Sequence, residues 1–88
     1  MNPYIDITPE VRQFAEEVNE IDLKWHRDLE DRIIVSLKET DWQIQLDNAL
    51  PTSLNSPVFI KSGVWHRVIK GNNELTIKIS KPYENETK

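Results

Sequence analysis

The sequence predicts a mainly-β single domain: a small antiparallel barrel or sandwich of about six strands, preceded by one N-terminal α-helix. Three observations lead there. From Ile21 onward, apolar residues recur with a period of two, in short runs at close spacing. Ahead of that point they recur at i, i+3, i+4 and i+7. The chain has 88 residues, a length that buries only roughly 60–65% of its accessible surface on folding and supplies one small core. The domain is expected over residues 1–81, with a polar tail at 82–88.

The helix is expected over about residues 9–19. Thr8-Pro9-Glu10 reads as its start, since Thr caps, Pro suits the first helical position and Glu faces the positive end of the dipole. Val11, Phe14, Ala15 and Val18 then form one apolar stripe, which a helix this short must bury on a sheet or a partner chain. The strand segments follow within residues 21–80. Ile21, Leu23 and Trp25 alternate with Asp22, Lys24 and His26; Arg32 to Leu37 is a β-branched run; and Trp42 to Leu46 alternates strictly. Val58 to Ile60, Trp65 to Ile69 and Leu75 to Ile79 complete the six. Lys70-Gly71-Asn72-Asn73 reads as a hairpin turn between the last two, and Asp47 to Pro57 as the longest loop.

Composition excludes several functions. With no cysteine there is no disulfide scaffold, thiolate zinc site or cysteine nucleophile. No apolar run approaches the roughly 20 residues of a membrane span and no signal segment opens the chain, so a soluble, cytoplasmic protein with no membrane partner is expected. A net charge of −4 argues against nucleic acid as a partner, because phosphate neutralisation needs a basic surface. The charge is uneven: residues 1–48 hold twelve acids and five bases, and residues 49–88 hold three acids and six bases. Such halves either neutralise each other within one fold or pair with a second copy or another charged partner.

The two histidines stand in the same tripeptide, Trp25-His26-Arg27 and Trp65-His66-Arg67. In a strand, Trp and Arg point to one face and His to the other, so two such strands side by side would bring both imidazoles into one cavity suited to a metal, a proton relay or a polar ligand. The alternative is two separate, hydrogen-bonded structural histidines. Trp25, Trp42 and Trp65 are expected in the core, with stacking on a ligand as the other use of an indole. Gln43, Gln45 and Asp47 share a polar strand face that serves either solvent or a pocket. Asp28 to Arg32 reads as a solvated turn with a local ion pair, or as a carboxylate rim beside His26. No serine stands in a nucleophile motif, and Gly63 and Gly71 read as turn residues.

The stretch Phe59-Ile60-Lys61-Ser62-Gly63-Val64-Trp65-His66-Arg67-Val68-Ile69 resembles the second motif of the cupins, in which a strand turns through a glycine and a histidine follows three residues later. Gly63 and His66 match, whereas Lys61 stands where that family usually has proline. Trp25 to Leu37 looks like the first cupin motif, a His-x-His followed by Glu. One register sets His26 on the first His, Asp28 on the second and Arg32 on the Glu; a second brings Glu30 or Asp31 near the carboxylate. The resemblance covers residues 22–80 and implies a cupin-like fold, of a kind carried by bacteria and their tailed phages. It also implies a metal site that is degenerate here. Arg32 at the carboxylate position opposes a divalent cation and favours an anion, so no metal cofactor is expected. Should a divalent transition metal bind, its ligands would be His26, His66 and Asp28 or Glu30, the make-up of a two-histidine, one-carboxylate triad.

The function expected first is therefore a cupin-like binding module whose metal-free pocket, lined by His26, Asp28, Arg32 and His66, takes a small polar or anionic ligand. One alternative is a phage or accessory protein that docks on a host protein; another is a minimal metal-dependent enzyme. A homodimer is the expected assembly, because a short sheet leaves open edges.

Overall fold

The computed structural model describes residues 2–82, and these form two antiparallel sheets. The strands are β1 (Ile5–Thr8), β2 (Val11–Phe14), β3 (Arg32–Ser36), β4 (Gln43–Leu46), β5 (Thr52–Ser53), β6 (Val58–Ile60), β7 (His66–Ile69) and β8 (Leu75–Ser80). The larger sheet runs β1-β2-β8-β3-β6 and the smaller β5-β4-β7. Alternation on the two inner faces supplies one core: Phe14, Ile34, Ile60, Leu75 and Ile77 from the larger sheet, and Ile44 with Trp42 and Leu54 from the smaller side. The mainly-β class holds. The two sheets do not close into a barrel, and the described residues form eight strands instead of six.

The N-terminal helix expected over residues 9–19 is replaced by a hairpin. Thr8 Oγ1 accepts from the amides of Glu10 (3.1 Å) and Val11 (3.0 Å), so the hydroxyl that would cap a helix instead closes the β1–β2 turn. A helix of about 11 residues gains little from propensity alone, whereas β2 gains a full ladder on β8, from Val11↔Lys78 to Phe14↔Leu75. Of the predicted stripe only Phe14 is buried, between Tyr4 (5.5 Å between ring centroids) and Trp42 (5.8 Å). Arg12 shares its inward face and lies 3.7 Å from the Tyr4 ring centroid.

The expected strand over Ile21 to His26 is also absent. Asn19 Oδ1 accepts from Ile21 N at 3.0 Å and starts a single 3₁₀ turn, Glu20–Asp22, leaving His26 alone to pair as an isolated bridge. The turn at Gly71 is no hairpin, because β7 pairs with β4 while β8 sits between β2 and β3. That segment crosses from one sheet to the other, held by Asp41, whose carboxylate accepts from Asn72 N (2.8 Å) and Nδ2 (2.7 Å). The Trp42 indole donates to the carbonyls of Asn72 and Asn73, both at 3.1 Å. Within the expected long loop, β5 pairs with β4 and Leu54 is fully buried, its carbonyl accepting from Ser36 N at 2.8 Å. The polar face of β4 points outward, since Ile44 is buried and Gln43 exposed. No helix among the described residues is long and apolar enough to cross a membrane. Of the tail expected at 82–88, residues 83–88 lie outside the described residues.

Candidate functional site

The site forms at the free edge of the smaller sheet. His66 opens β7, with Leu46 of β4 opposite it on one side and His26 on the other. His26 N donates to His66 O (2.9 Å) and His66 N donates to His26 O (2.8 Å), the reciprocal bonds of an antiparallel hydrogen-bonded pair. Residues directly opposite in such a pair point to the same face. Both imidazoles therefore stand side by side between the sheets, with ring centroids 4.2 Å apart and planes at 62°. His66 is buried and His26 is open to solvent.

The backbone orients both rings in the same way. His26 Nδ1 lies 3.0 Å from Lys24 O and His66 Nδ1 lies 2.8 Å from Val64 O, each the carbonyl two residues before. A carbonyl only accepts, so these partners assign a proton to Nδ1 of each ring, and in the neutral tautomer this leaves the lone pair on Nε2. Asp28 is placed by its own carbonyl, which accepts from Gly63 N at 2.8 Å, where Gly63 turns the chain at φ +81°. Its Oδ2 lies 3.3 Å from His66 Nε2, and its Oδ1 lies 3.5 Å from Arg32 Nη1. One ligand atom from each of His26, Asp28 and His66 lies within 4.8 Å of the others.

Burial is the main force on His66 and pushes its pKa below the ordinary imidazole value of 6.5, with His26 and Arg32 acting in the same direction. The Val64 carbonyl and the Asp28 carboxylate act against it. At neutral pH the ring is accordingly uncharged, and its Nε2 lone pair confronts a carboxylate oxygen. Two acceptors at 3.3 Å repel unless a cation, proton or metal, lies between them. Behind them a cavity of about 390 Å³ runs between the sheets, with Lys24 and Arg32 among its polar lining and Ile34, Ile44, Val68 and Ile77 among its apolar walls.

The structure brings His26, Asp28, Arg32 and His66 together. Glu30, the other carboxylate considered as a ligand, points elsewhere and pairs with Lys81 at 3.1 Å. Asp31 Oδ1 accepts from Ser62 N at 2.8 Å. Trp42 is in the core as expected, but Trp25 and Trp65 stand on the outer face, 41% and 43% exposed. Sequence reasoning missed the carbonyls of Lys24 and Val64, which no side-chain pattern signals. It also missed Arg12 and Tyr4 as cavity residues: a helix over residues 9–19 gives Arg12 no inward strand face, and no pattern marks Tyr4. No family model, curated protein or solved structure matches this chain, and the cupin likeness rests on its motif residues alone.

Proposed function

We propose that the chain is a small cupin-like binding module whose His26, His66 and Asp28 take a divalent transition metal beside a cavity for a small anionic ligand. The observation that carries this is the shared orientation of the two rings: each Nδ1 is tied to a backbone carbonyl, freeing both Nε2 atoms. That of His66 lies 3.3 Å from the Asp28 carboxylate, and one ligand atom of His26 lies within 4.8 Å of both. Two imidazole nitrogens and one carboxylate suit zinc, ferrous iron or manganese. Three ligand atoms each about 2.1 Å from one metal stand about 3.0–3.6 Å apart, so separations of up to 4.8 Å must shorten by up to about 1.2–1.8 Å to close the site. On the sequence alone, the register that sets Arg32 at the carboxylate position favours a metal-free pocket. In the proposed site Asp28 provides that carboxylate, a reading supported by its 3.3 Å approach to His66 and by Arg32 lying 3.5 Å from its other oxygen. When bound, such a metal supplies Lewis acidity and an acidified water. The chain's own part is to hold the ligand's charge at Arg32 and Lys24 and to exclude water along the isoleucine walls.

Calorimetric titration with zinc, cobalt(II), manganese and ferrous iron tests this. About one metal per chain is expected, lost in His26→Ala and in Asp28→Asn with unchanged circular dichroism. No binding of any of the four metals would return the metal-free ligand pocket to first place. The exposed Trp25 and Trp65, each with an arginine over its ring, favour a second reading: docking on a second copy or on a host protein in a bacterial cytoplasm. It predicts a concentration-dependent increase in sedimentation coefficient, alone or with the partner, that Trp65→Ala abolishes.

A further inference from the structure

We infer that Arg27 and Arg67 are positioning residues, which clasp the outer face of the His26–His66 bridge and so hold the two imidazoles in register on its inner face. Because His26 lies opposite His66 in antiparallel pairing, Trp25 lies opposite Arg67 and Arg27 opposite Trp65. The Arg27 guanidinium carbon stands 5.0 Å from the Trp65 ring centroid, and that of Arg67 stands 4.9 Å from the Trp25 centroid. The repeated tripeptide thus closes on itself about a local twofold, with a cation–π pair on each side of the histidines. These flanking positions are the non-hydrogen-bonded ones, where opposed side chains approach most closely.

The bridge needs such a device. His26 belongs to no strand, and its pairing with His66 consists of two backbone hydrogen bonds. A slip of one residue would turn His26 to the outer face, and a slip of two would carry it about 7 Å along the edge. Either slip separates both arginines from their indoles, so the clasp selects the one register in which a shared site exists. Among the described residues neither Arg27 nor Arg67 has a carboxylate within ion-pair distance, in contrast to Arg12 with Asp6 and Arg32 with Asp28. Arg67 Nε donates to Gln45 Oε1 at 3.0 Å, which ties its half of the clasp to β4. A planar guanidinium stacks on an indole as an ammonium does not.

The metal readout of this inference rests on the proposed metal site, so the test adds two readouts that need no metal. In the full chain, Arg27→Gln should weaken cobalt(II) binding about 2- to 5-fold, and the Arg27→Gln/Arg67→Gln pair about 5- to 30-fold, with Arg27→Lys falling between wild type and Arg27→Gln. Without metal, Arg27→Gln should speed His26 amide exchange by a similar 2- to 5-fold and weaken the ring-to-ring nuclear Overhauser effect between His26 and His66, while amide protection in β3 and β8 stays unchanged. A wild-type chain that takes up no cobalt ends the metal proposal and leaves the clasp to be judged by exchange and Overhauser effect. If both are unaltered in Arg27→Gln, or if protection falls equally throughout β3 and β8, the positioning role is overturned.

Discussion

His66 has two acceptors to satisfy, the Val64 carbonyl and the Asp28 carboxylate, and as a neutral ring it has one proton. That mismatch is tolerable with a metal or a second proton, and it ties stability to pH in the metal-free protein. Burial holds the folded pKa below the 6.5 of the unfolded chain. Between those values the unfolded state binds more protons, so stability rises with pH there, is fully present above 6.5 and declines as pH falls toward the folded value. Urea midpoints in chelator should therefore be level from pH 8 to 7 and drop on acidification below 6.5, and His66→Gln should flatten that drop. Asp28→Asn removes a charge that favours the protonated ring, so it should steepen the decline. The pairing of the histidines was one of two readings that the repeated tripeptide left open, and the backbone bridge between His26 and His66 is what decides it. The choice of Asp28 over Glu30 was not legible in the sequence, since it depends on how the turn from Arg27 to Asp31 is pinned to Gly63.

At the scale of elements, local signals located the strands whose two-residue period is strong and misled where the same residues fit two structures equally well. β3, β4, β6, β7 and β8 lie where β-branched alternation predicts strands. Thr8-Pro9-Glu10 fits a helix cap and a hairpin turn equally well, and only the distant ladder with β8 decides between them. Thr8→Ala removes an acceptor of two amide bonds and should cost about 1 kcal/mol. Because β1 is exposed throughout, the loss should register as faster amide exchange in β1 and β2 with little change in β3. The Gly71 turn teaches the converse. Asn73 does adopt positive φ (63°), as a turn signal implies, yet the strands it joins belong to different sheets. A Cβ on Gly71 would stand 2.7 Å from Trp42 N and 2.8 Å from the Asp41 carbonyl carbon, so Gly71→Ala should destabilise the fold by about 1–3 kcal/mol, read as a lower urea midpoint at constant m-value.

On the scale of the whole molecule, the site joins segments 40 residues apart in sequence, His26 with Asp28 on one side and His66 on the other. The first of these segments is the weakly held one: besides the bridge, its backbone is fastened by the bond from Gly63 N to Asp28 O. A metal at the cluster would fasten it to β7, and through β7 and β4 to the core. Since the unfolded chain holds these ligands far apart, binding should act almost wholly on the native state and raise stability by RT ln(1 + [metal]/Kd), about 2.7 kcal/mol at one hundred times Kd. For a domain of this size that corresponds to a melting temperature about 10–20 °C higher. Thermal melts at rising cobalt(II) or zinc should show this logarithmic dependence, and His26→Ala should remove it while leaving the metal-free melting temperature within about 3 °C, because the His26 side chain is exposed. A melting temperature that stays constant across a saturating metal series would mean that the three side chains are neighbours without being a site.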